Sequence, residues 1–335
     1  MKNYLNLFRA AFVAITFLFL ASCSSDEEGI PQTQKSTIVG IATNNQPNLT
    51  TFVTALGRFP DLVTTFNSAG NFTVFVPTNA AFTTFLASTP YATVNDVPLP
   101  ALREILSNHV LSGSFTSVAT AGATTLTSGY VKTLGKGSAS ATNTLSMYVN
   151  VSTTGIRLNG VSSVTTTANV LASNGVVHVV DGVIGLPTIV THANANPAFS
   201  TLYNVVTSTG GDYGNQSAVA TALTTNAAPL TVFAPTNAAF TTALAAGAWA
   251  NGANATQITR VLQYHVTAGN VLSGTLTQGQ VIPMITNTPI LNTTIDLVGG
   301  PKIKDTQNLS ANIIVTDVQC ANGIIHAIDK VLRPF

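Results

Sequence analysis

The sequence predicts an α+β fold, built twice in tandem behind a short export leader. Three observations carry this expectation. Blocks of residues recur in the same order about 150 positions apart, and each half mixes apolar runs of strand length with apolar residues at helical spacing. The first 23 residues also have the layout of a secretory signal. At 335 residues the chain exceeds the size at which one hydrophobic core stops growing, so two domains of ordinary size are expected.

In the leader, Lys2 and Arg9 precede an apolar run from Ala10 to Leu20, and Leu20-Ala21-Ser22-Cys23 follows at once. The run is too short for a membrane span, which takes about 20 residues to cross ~30 Å of hydrocarbon. Residues 1–22 are therefore expected to be a cleaved signal peptide. Leu20-Ala21-Ser22-Cys23 resembles the bacterial lipobox, which implies that Cys23 is lipidated and becomes the first residue of the mature chain. Several acyl chains, each contributing ~0.8 kcal/mol per buried methylene, hold stably where one chain is marginal. The membrane is thus an expected partner through a lipid anchor, and the expected location is the cell envelope, at the outer membrane. Ser24-Ser25-Asp26-Glu27-Glu28 resembles the surface-export signals of Bacteroidetes lipoproteins. It fits a solvated acidic linker over 23–35 equally well.

Composition narrows the partners. Charged residues are only 7% of the chain, against the ~25% of an ordinary soluble protein, so Thr, Ser and Asn must carry solubility. Outside the leader, 11 basic face 12 acidic side chains with no cluster of Lys or Arg. Nucleic acid is excluded as a partner, because binding a polyanion needs clustered cations to release counterions. With Cys23 lipidated, Cys320 has no intrachain partner, and a buried, inert thiol is expected.

The repeat is read most directly at Phe72 to Phe82, which recurs as Leu230 to Phe240 with nine of eleven positions identical. His109 pairs with His265, and Asn174-Gly175-Val176-Val177-His178 pairs with Asn322-Gly323-Ile324-Ile325-His326. In the first block, Thr73 to Val76 is a buried strand, Pro77 ends its ladder, and Thr78 or Asn79 caps the helix that follows. Leu102, Ile105, Leu106, His109 and Val110 lie at helical spacing, matched by Ile258, Val261, Leu262, His265 and Val266, so each histidine sits on an apolar face. The Thr-, Gly- and Val-rich stretches Ser114 to Ser173 and Asn270 to Gln319 read as short strands separated by turns such as Leu158-Asn159-Gly160. Gly129 to Lys136 reads as a β-turn region, since its spacing fails the phosphate-loop pattern. Each copy closes on a strand, Val176 to Val180 or Ile324 to Ile328. Domain 1 is placed at 36–187 and domain 2 at 188–335. The short junction from Leu186 to Ala193, with Pro187 inside it, predicts limited swing.

These blocks resemble the fasciclin domain family. They are Thr73-Val74-Phe75-Val76-Pro77-Thr78-Asn79-Ala80-Ala81-Phe82 and its copy, the helix ending in Tyr264-His265, and the closing Asn322-Gly323-Ile324-Ile325-His326-Ala327-Ile328-Asp329. The resemblance covers nearly all of residues 36 to 335. It implies two tandem fasciclin-like domains, each a β-sandwich-like wedge with a helical layer. In animal members the Tyr-His motif is implicated in integrin binding, which implies a ligand-contact role for Leu262, Tyr264, His265 and Val266, and for His109 in the first copy. That copy departs from the motif, with Asn108 before His109. Helical spacing places the same residues in the core, so both readings stand on sequence.

Catalytic signals are weak. No Gly-x-Ser-x-Gly elbow occurs, and in the pairs His178 with Asp181 and His326 with Asp329 a spacing of three on a strand puts the side chains on opposite faces. These four are expected to be structural, each histidine making a buried hydrogen bond that fixes its strand. The five histidines lack metal-ligand spacing, so neither metal nor cofactor is expected. The leading expectation is a non-enzymatic adhesion or binding lipoprotein presenting two modules to a protein or polysaccharide ligand, with avidity from the pair. The rivals are an envelope enzyme acting on glycan or ester bonds through acids such as Asp61, Asp96, Asp212 or Asp317, and a structural accessory of an envelope complex.

Overall fold

Apolar runs bounded by proline and asparagine, with helices that carry one apolar face, build each half. The computed structural model describes residues 35–44, 47–225, 228–245, 254–286 and 289–334. The leader 1–22, Cys23 and all of the linker except Lys35 lie outside the described residues.

Domain 1 opens with three short helices, α1 (Ile38–Thr43), α2 (Thr50–Gly57) and α3 (Pro60–Asn67). Thr37 caps α1 by accepting from the Gly40 N–H, and Pro60 starts α3 where a missing N–H leaves nothing unpaired. Strand β1 (Phe72–Pro77) then enters the core. Its side chains alternate: Val74 and Val76 join Phe52, Leu56, Phe66 and Phe82 beneath the helices, while Phe75 joins Leu111, Met147 and Val149 on the other face. A strand between two apolar layers has to be apolar on both sides, hence the unbroken run.

Pro77 ends the ladder, and Thr78 caps α4 (Asn79–Ala87) by accepting from the Ala81 N–H at 3.1 Å. Asn79, the other cap candidate, does a different job. Its Oδ1 accepts from the Thr51 N–H and its Nδ2 donates to Pro47 O and Thr50 Oγ1, all at 2.9 Å, tying α4 to the start of α2. Asn237 repeats these bonds with Thr201, Pro197 and Ser200. Helix α5 (Leu99–Asn108) then packs Leu102, Ile105 and Leu106 on the same core.

The rest of domain 1 is β2 (Val110–Ser112), β3 (Phe115–Thr116), β4 (Thr124–Thr125), β5 (Gly129–Gly137), β6 (Ser140–Ser152), β7 (Gly155–Leu158), β8 (Ser162–Ser163), β9 (Val170–Ala172) and β10 (Gly175–Val180). The main sheet has the order β8-β7-β6-β5-β2-β1-β10-β9, with β3 and β4 paired apart. Toward one end of that order β1 runs parallel to β10, from Phe72 opposite Gly175 to Pro77 opposite Val180. A bridge between Val164 and Val180, and the Asp181 N–H donating to Ser163 O at 3.1 Å, curl the sheet back on itself into a wedge. Two expectations are corrected here. Gly129 to Lys136 is strand, not turn, because β5 pairs with β6 from Gly129 opposite Val149 to Lys132 opposite Ser146. Its glycine at 135 serves close approach, since a Cβ there would lie 2.8 Å from Asn108 N. Strand β6 is also long, at 13 residues, where short strands were expected.

Domain 2 repeats the plan with α6 (Ile189–Ala195), α7 (Ser200–Val206), α8 (Ser217–Thr225), β11 (Leu230–Pro235), α9 (Asn237–Ala245) and α10 (Ala255–Gln263). Then come β12 (Val266–Ala268), β13 (Val281–Pro283), β14 (Asn292–Asp296), β15 (Lys302–Lys304), β16 (Ser310–Cys320) and β17 (Gly323–Ile328), in the sheet order β12-β11-β17-β16-β15-β14-β13. Its ends meet where the Ile285 N–H donates to Val266 O at 2.7 Å. Val232 and Ala234 face the helices; Phe233 faces the inside of the curl with Tyr264, Ile295 and Ile303. Both halves are thus α+β modules in which a curled wedge carries a helical layer.

The Asn-Gly turns hold the two layers together. Asn174 accepts from the Ile38 N–H at 3.0 Å and donates to Phe66 O at 2.8 Å, while Asn322 accepts from the Ile189 N–H at 3.1 Å and donates to Leu223 O at 2.7 Å. The glycine after each asparagine is obligatory, because a Cβ at 175 or 323 would lie 2.0 Å from the Phe72 or Leu230 carbonyl oxygen. The shared bonds also show that Leu223 stands where domain 1 has Phe66, and the Asn79 and Asn237 ties put Leu202 where it has Phe52. These smaller side chains leave domain 2 an apolar void of about 20 Å³, lined by Leu202, Val219, Leu223, Leu262, His265 and Val266 among others.

The two modules are fastened along one seam. The Gln319 N–H donates to Ser146 Oγ at 3.0 Å, the Ala139 N–H to Ala321 O at 2.9 Å, and the Ala321 N–H to Pro187 O at 2.7 Å. Contact is close enough that a Cβ at Gly137 would lie 2.3 Å from Ala321 Cα.

Candidate functional site

The helix that leads to His109 or His265 stops one or two residues before it, so the ring caps the helix end instead of facing solvent. In domain 1, His109 Nδ1 donates to Ile105 O at 2.7 Å and Nε2 accepts from the Ile184 N–H at 2.9 Å. In domain 2, His265 Nδ1 donates to Val261 O at 2.8 Å and Nε2 accepts from the Leu332 N–H at 2.9 Å. A carbonyl on one side and an N–H on the other fix the neutral tautomer with its proton on Nδ1. Burial accordingly pushes both imidazoles down to about 4, against the opposing pull of the helix carbonyl. Each ring therefore staples the last helix to the segment that leaves the final strand.

The proposed contact residues lie below the surface. Relative exposure is 0% for Tyr264 and His109, 4% for His265, 5% for Leu262 and 6% for Val266. Tyr264 fills the wedge, its hydroxyl donating to Asn292 O at 2.8 Å and accepting from the Thr306 N–H at 3.1 Å. Asn108 takes its place in domain 1 and donates to Ile184 O at 3.2 Å and Gly185 O at 2.9 Å, with Thr133 Oγ1 donating to its Oδ1 at 3.0 Å. The substitution thus exchanges one satisfied buried polar group for another. A ligand reaches none of the five side chains without moving the helix ends.

The strand histidines are placed as similarly. His178 Nε2 donates to Phe115 O at 2.9 Å and its Nδ1 accepts from the Asn169 N–H at 3.4 Å; His326 Nε2 donates to Val271 O at 2.9 Å and its Nδ1 accepts from the Asp317 N–H at 3.3 Å. Burial lowers the pKa of both. Their rings lie against Phe75 and Phe233, with centroids 5.4 and 5.6 Å apart. The nearby acids do other work: Asp181 Oδ1 accepts from the Ser163 N–H at 2.6 Å, and Asp329 accepts from the Asn312 N–H at 2.7 Å and Asn312 Nδ2 at 2.6 Å. Asp181 pins β8, which closes the curl of domain 1, Asp329 pins β16 beside the final strand, and neither orients a histidine.

Three of the acids considered for an enzyme are engaged: Asp61 pairs with Arg103 at 2.7 Å, Asp96 accepts from Thr93 at 2.8 Å, and Asp317 accepts from the Ser273 N–H at 2.8 Å and from Ser273 Oγ; Asp212 lies in the short 3-10 helix Gly211–Tyr213. Among the described residues no group of three or more His, Cys, Asp or Glu is disposed to hold a metal ion, and no helix is long and apolar enough to cross a membrane. Cys320 is buried and its thiol pKa is raised by that burial.

Sequence reasoning missed the seam. His192 is wholly buried there, its ring 5.4 Å from that of Tyr130, and its nitrogens make no well-formed hydrogen bond. Burial, reinforced by the Lys132 ammonium, pushes it down to about 3 against the weak pull of the Ser146 and Gln319 backbone. Beside it a polar cleft of about 360 Å³ opens between the modules, lined by Lys132, Thr142, Asn143 and Thr144 from domain 1 and by Leu272, Asp317 and Gln319 from domain 2. No periodicity within one copy signals such a cleft, because its walls come from strands β5, β6 and β16, some 180 residues apart.

Comparison with known proteins agrees with this architecture. Residues 47–187 and 197–334 each match the model of the fasciclin domain. An uncharacterized protein of Synechocystis, sll1735, is 32% identical over 147 residues, 44% of this chain and 98% of that protein. A second Synechocystis protein, sll1483, is 36% identical over 150 residues, 44% of this chain and 73% of its own length. The structure of a FAS1 domain pair from the insect cell adhesion molecule Fasciclin I superposes with a TM-score of 0.50 at 20% identity, covering 85% of this chain and 96% of that one, a likeness of fold. Fasciclin domains are generally non-enzymatic modules of adhesion and binding. With both halves matched and their tandem order reproduced, the chain belongs to the fasciclin domain family.

Proposed function

We propose that this chain is a non-enzymatic adhesion or binding lipoprotein of the cell envelope, anchored at the outer membrane through Cys23 and presenting two fasciclin modules to a protein or polysaccharide ligand. The observation that carries the reading is the use made of the four paired histidines. Every ring nitrogen of His109, His178, His265 and His326 is engaged with the backbone, which leaves no general base among them. The lipobox-like Leu20-Ala21-Ser22-Cys23 supports the anchor, and two modules on one tether support avidity. Protease shaving of intact cells followed by binding of the mature chain to cells and glycan arrays tests the reading. Protection from the protease together with no saturable binding to either target refutes it.

A further inference from the structure

The cleft between the modules is built from groups that differ from their counterparts in the repeat. Asp317 has φ 58° and its backbone N–H donates to His326; in domain 1 the matching residue is Asn169, φ 56°, whose N–H donates to His178. Both side chains accept from a serine N–H, Asp317 from Ser273 and Asn169 from Ser117; the serine hydroxyl donates to Asp317 but accepts from Asn169 Nδ2. Domain 2 therefore carries a carboxylate, where domain 1 has a neutral carboxamide, at a position that faces the other module. Each of its oxygens accepts one hydrogen bond from Ser273, and a carboxylate has lone pairs for about four, so acceptor capacity remains.

Beside Asp317 stands Lys132 of the other module. Its Nζ donates to Ser146 Oγ at 3.0 Å and to Asp317 O at 2.9 Å, which fixes the ammonium and leaves its third N–H without an acceptor among the described residues. It makes no ion pair among the described residues. The Asn143 backbone N–H donates to Ser140 Oγ, and among the described residues neither its carboxamide nor the Thr144 hydroxyl has a hydrogen-bond partner. Leu272 adds an apolar patch.

We infer that this cleft binds a short neutral saccharide, hydrogen-bonded between Lys132 and Asp317. A fixed donor beside a fixed acceptor suits a hydroxyl, which donates and accepts at once. An anionic ligand gains Lys132 and is repelled by Asp317, and a cationic ligand meets the reverse, so the balanced pair selects against both. The volume of about 360 Å³ lies within the roughly 300–1,000 Å³ of small-molecule sites. The site rests on the binding function proposed above and names its ligand class and its place.

The test uses the mature chain, titrated calorimetrically with maltotriose, cellotriose, mannotriose and xylotriose, with trigalacturonate and chitosan trimer as charged comparators and an uncharged hydroxyl-free tripeptide as a peptide probe. The variants are Asp317→Asn, whose hydrogen bonds with serine domain 1 already makes with Asn169, and Lys132→Met. Saturable binding of at least one neutral trisaccharide, weakened about tenfold or more by each variant and accompanied by amide shifts at residues 132, 143 and 317, is the expected result. No neutral trisaccharide binding, binding that both variants leave unchanged, or preference for a charged trimer or the peptide overturns it. If the trisaccharides fail while the parent protein still binds cells, the cleft assignment falls and the adhesion reading stands; if cell binding is also absent, both fall.

Discussion

Acidification should unfold both modules from the inside, through two imidazoles that solvent does not reach. His109 and His265 titrate at about 4 in the folded protein, against 6.5 in the open chain. Between those values the unfolded chain holds protons that the folded one refuses, so stability is complete above pH 6.5 and drains away as the pH falls through 4. At about 1.4 kcal/mol per pH unit, the gap amounts to about 3 kcal/mol for each histidine, a large share of the roughly 5–15 kcal/mol that holds an ordinary domain. The structural reason is specific: a proton on Nε2 would face the Ile184 or Leu332 N–H, donor against donor, in a site without water's dielectric. Urea unfolding from pH 7.5 to 4.5 measures the loss, and a His265→Asn variant should flatten the dependence of domain 2 by up to about one proton. If the Cε1 proton of either histidine titrates near 6.5 in the folded protein, or the variant keeps the parent slope, the staple argument is wrong.

Three further outcomes follow from the packing. Gly137→Ala sets a methyl 2.3 Å from Ala321 Cα, so the seam should open at a cost of about 1–3 kcal/mol, read as a lower unfolding midpoint and a larger radius in small-angle scattering. Tyr264→Phe leaves the Thr306 N–H and Asn292 O short of a partner inside the wedge and should cost domain 2 about 1–3 kcal/mol in denaturant titration. Val219→Leu should add about 0.8 kcal/mol by placing one methylene in the void of domain 2; a lower midpoint would mean that the space is not available.

How much of this was legible depended on whether the signal lay within one element. The run Thr73 to Val76 declared a strand, and Pro77 declared its end, because both effects act within a few residues. The tie from Asn79 to Thr51 was not legible, since nothing in the motif says which distant backbone its carboxamide reaches. Strands β5 and β6 looked like turn-rich sequence because their glycines and threonines meet partners from elsewhere: Gly135 lies against Asn108, and Ser146 against Gln319. The histidines were readable as core residues from helical spacing, but their bonds to the segments after the last strands join parts of the chain some 70 residues apart. The cleft at Lys132 and Asp317 escaped for the same reason, compounded by its need for two modules at once.

The parallel pairing within each sheet has a consequence for how the protein comes into being. Phe72 meets Gly175, and Leu230 meets Gly323, so the parallel ladder of each module joins segments about 100 residues apart. A chain emerging front end first cannot close that ladder until nearly the whole module has been made, and such remote pairing slows the search for it. Truncation before residue 175 would remove β10 from between β1 and β9 and leave β1 paired only with β2. Each module therefore matures late and all together, with its final six-residue strand acting as the latch.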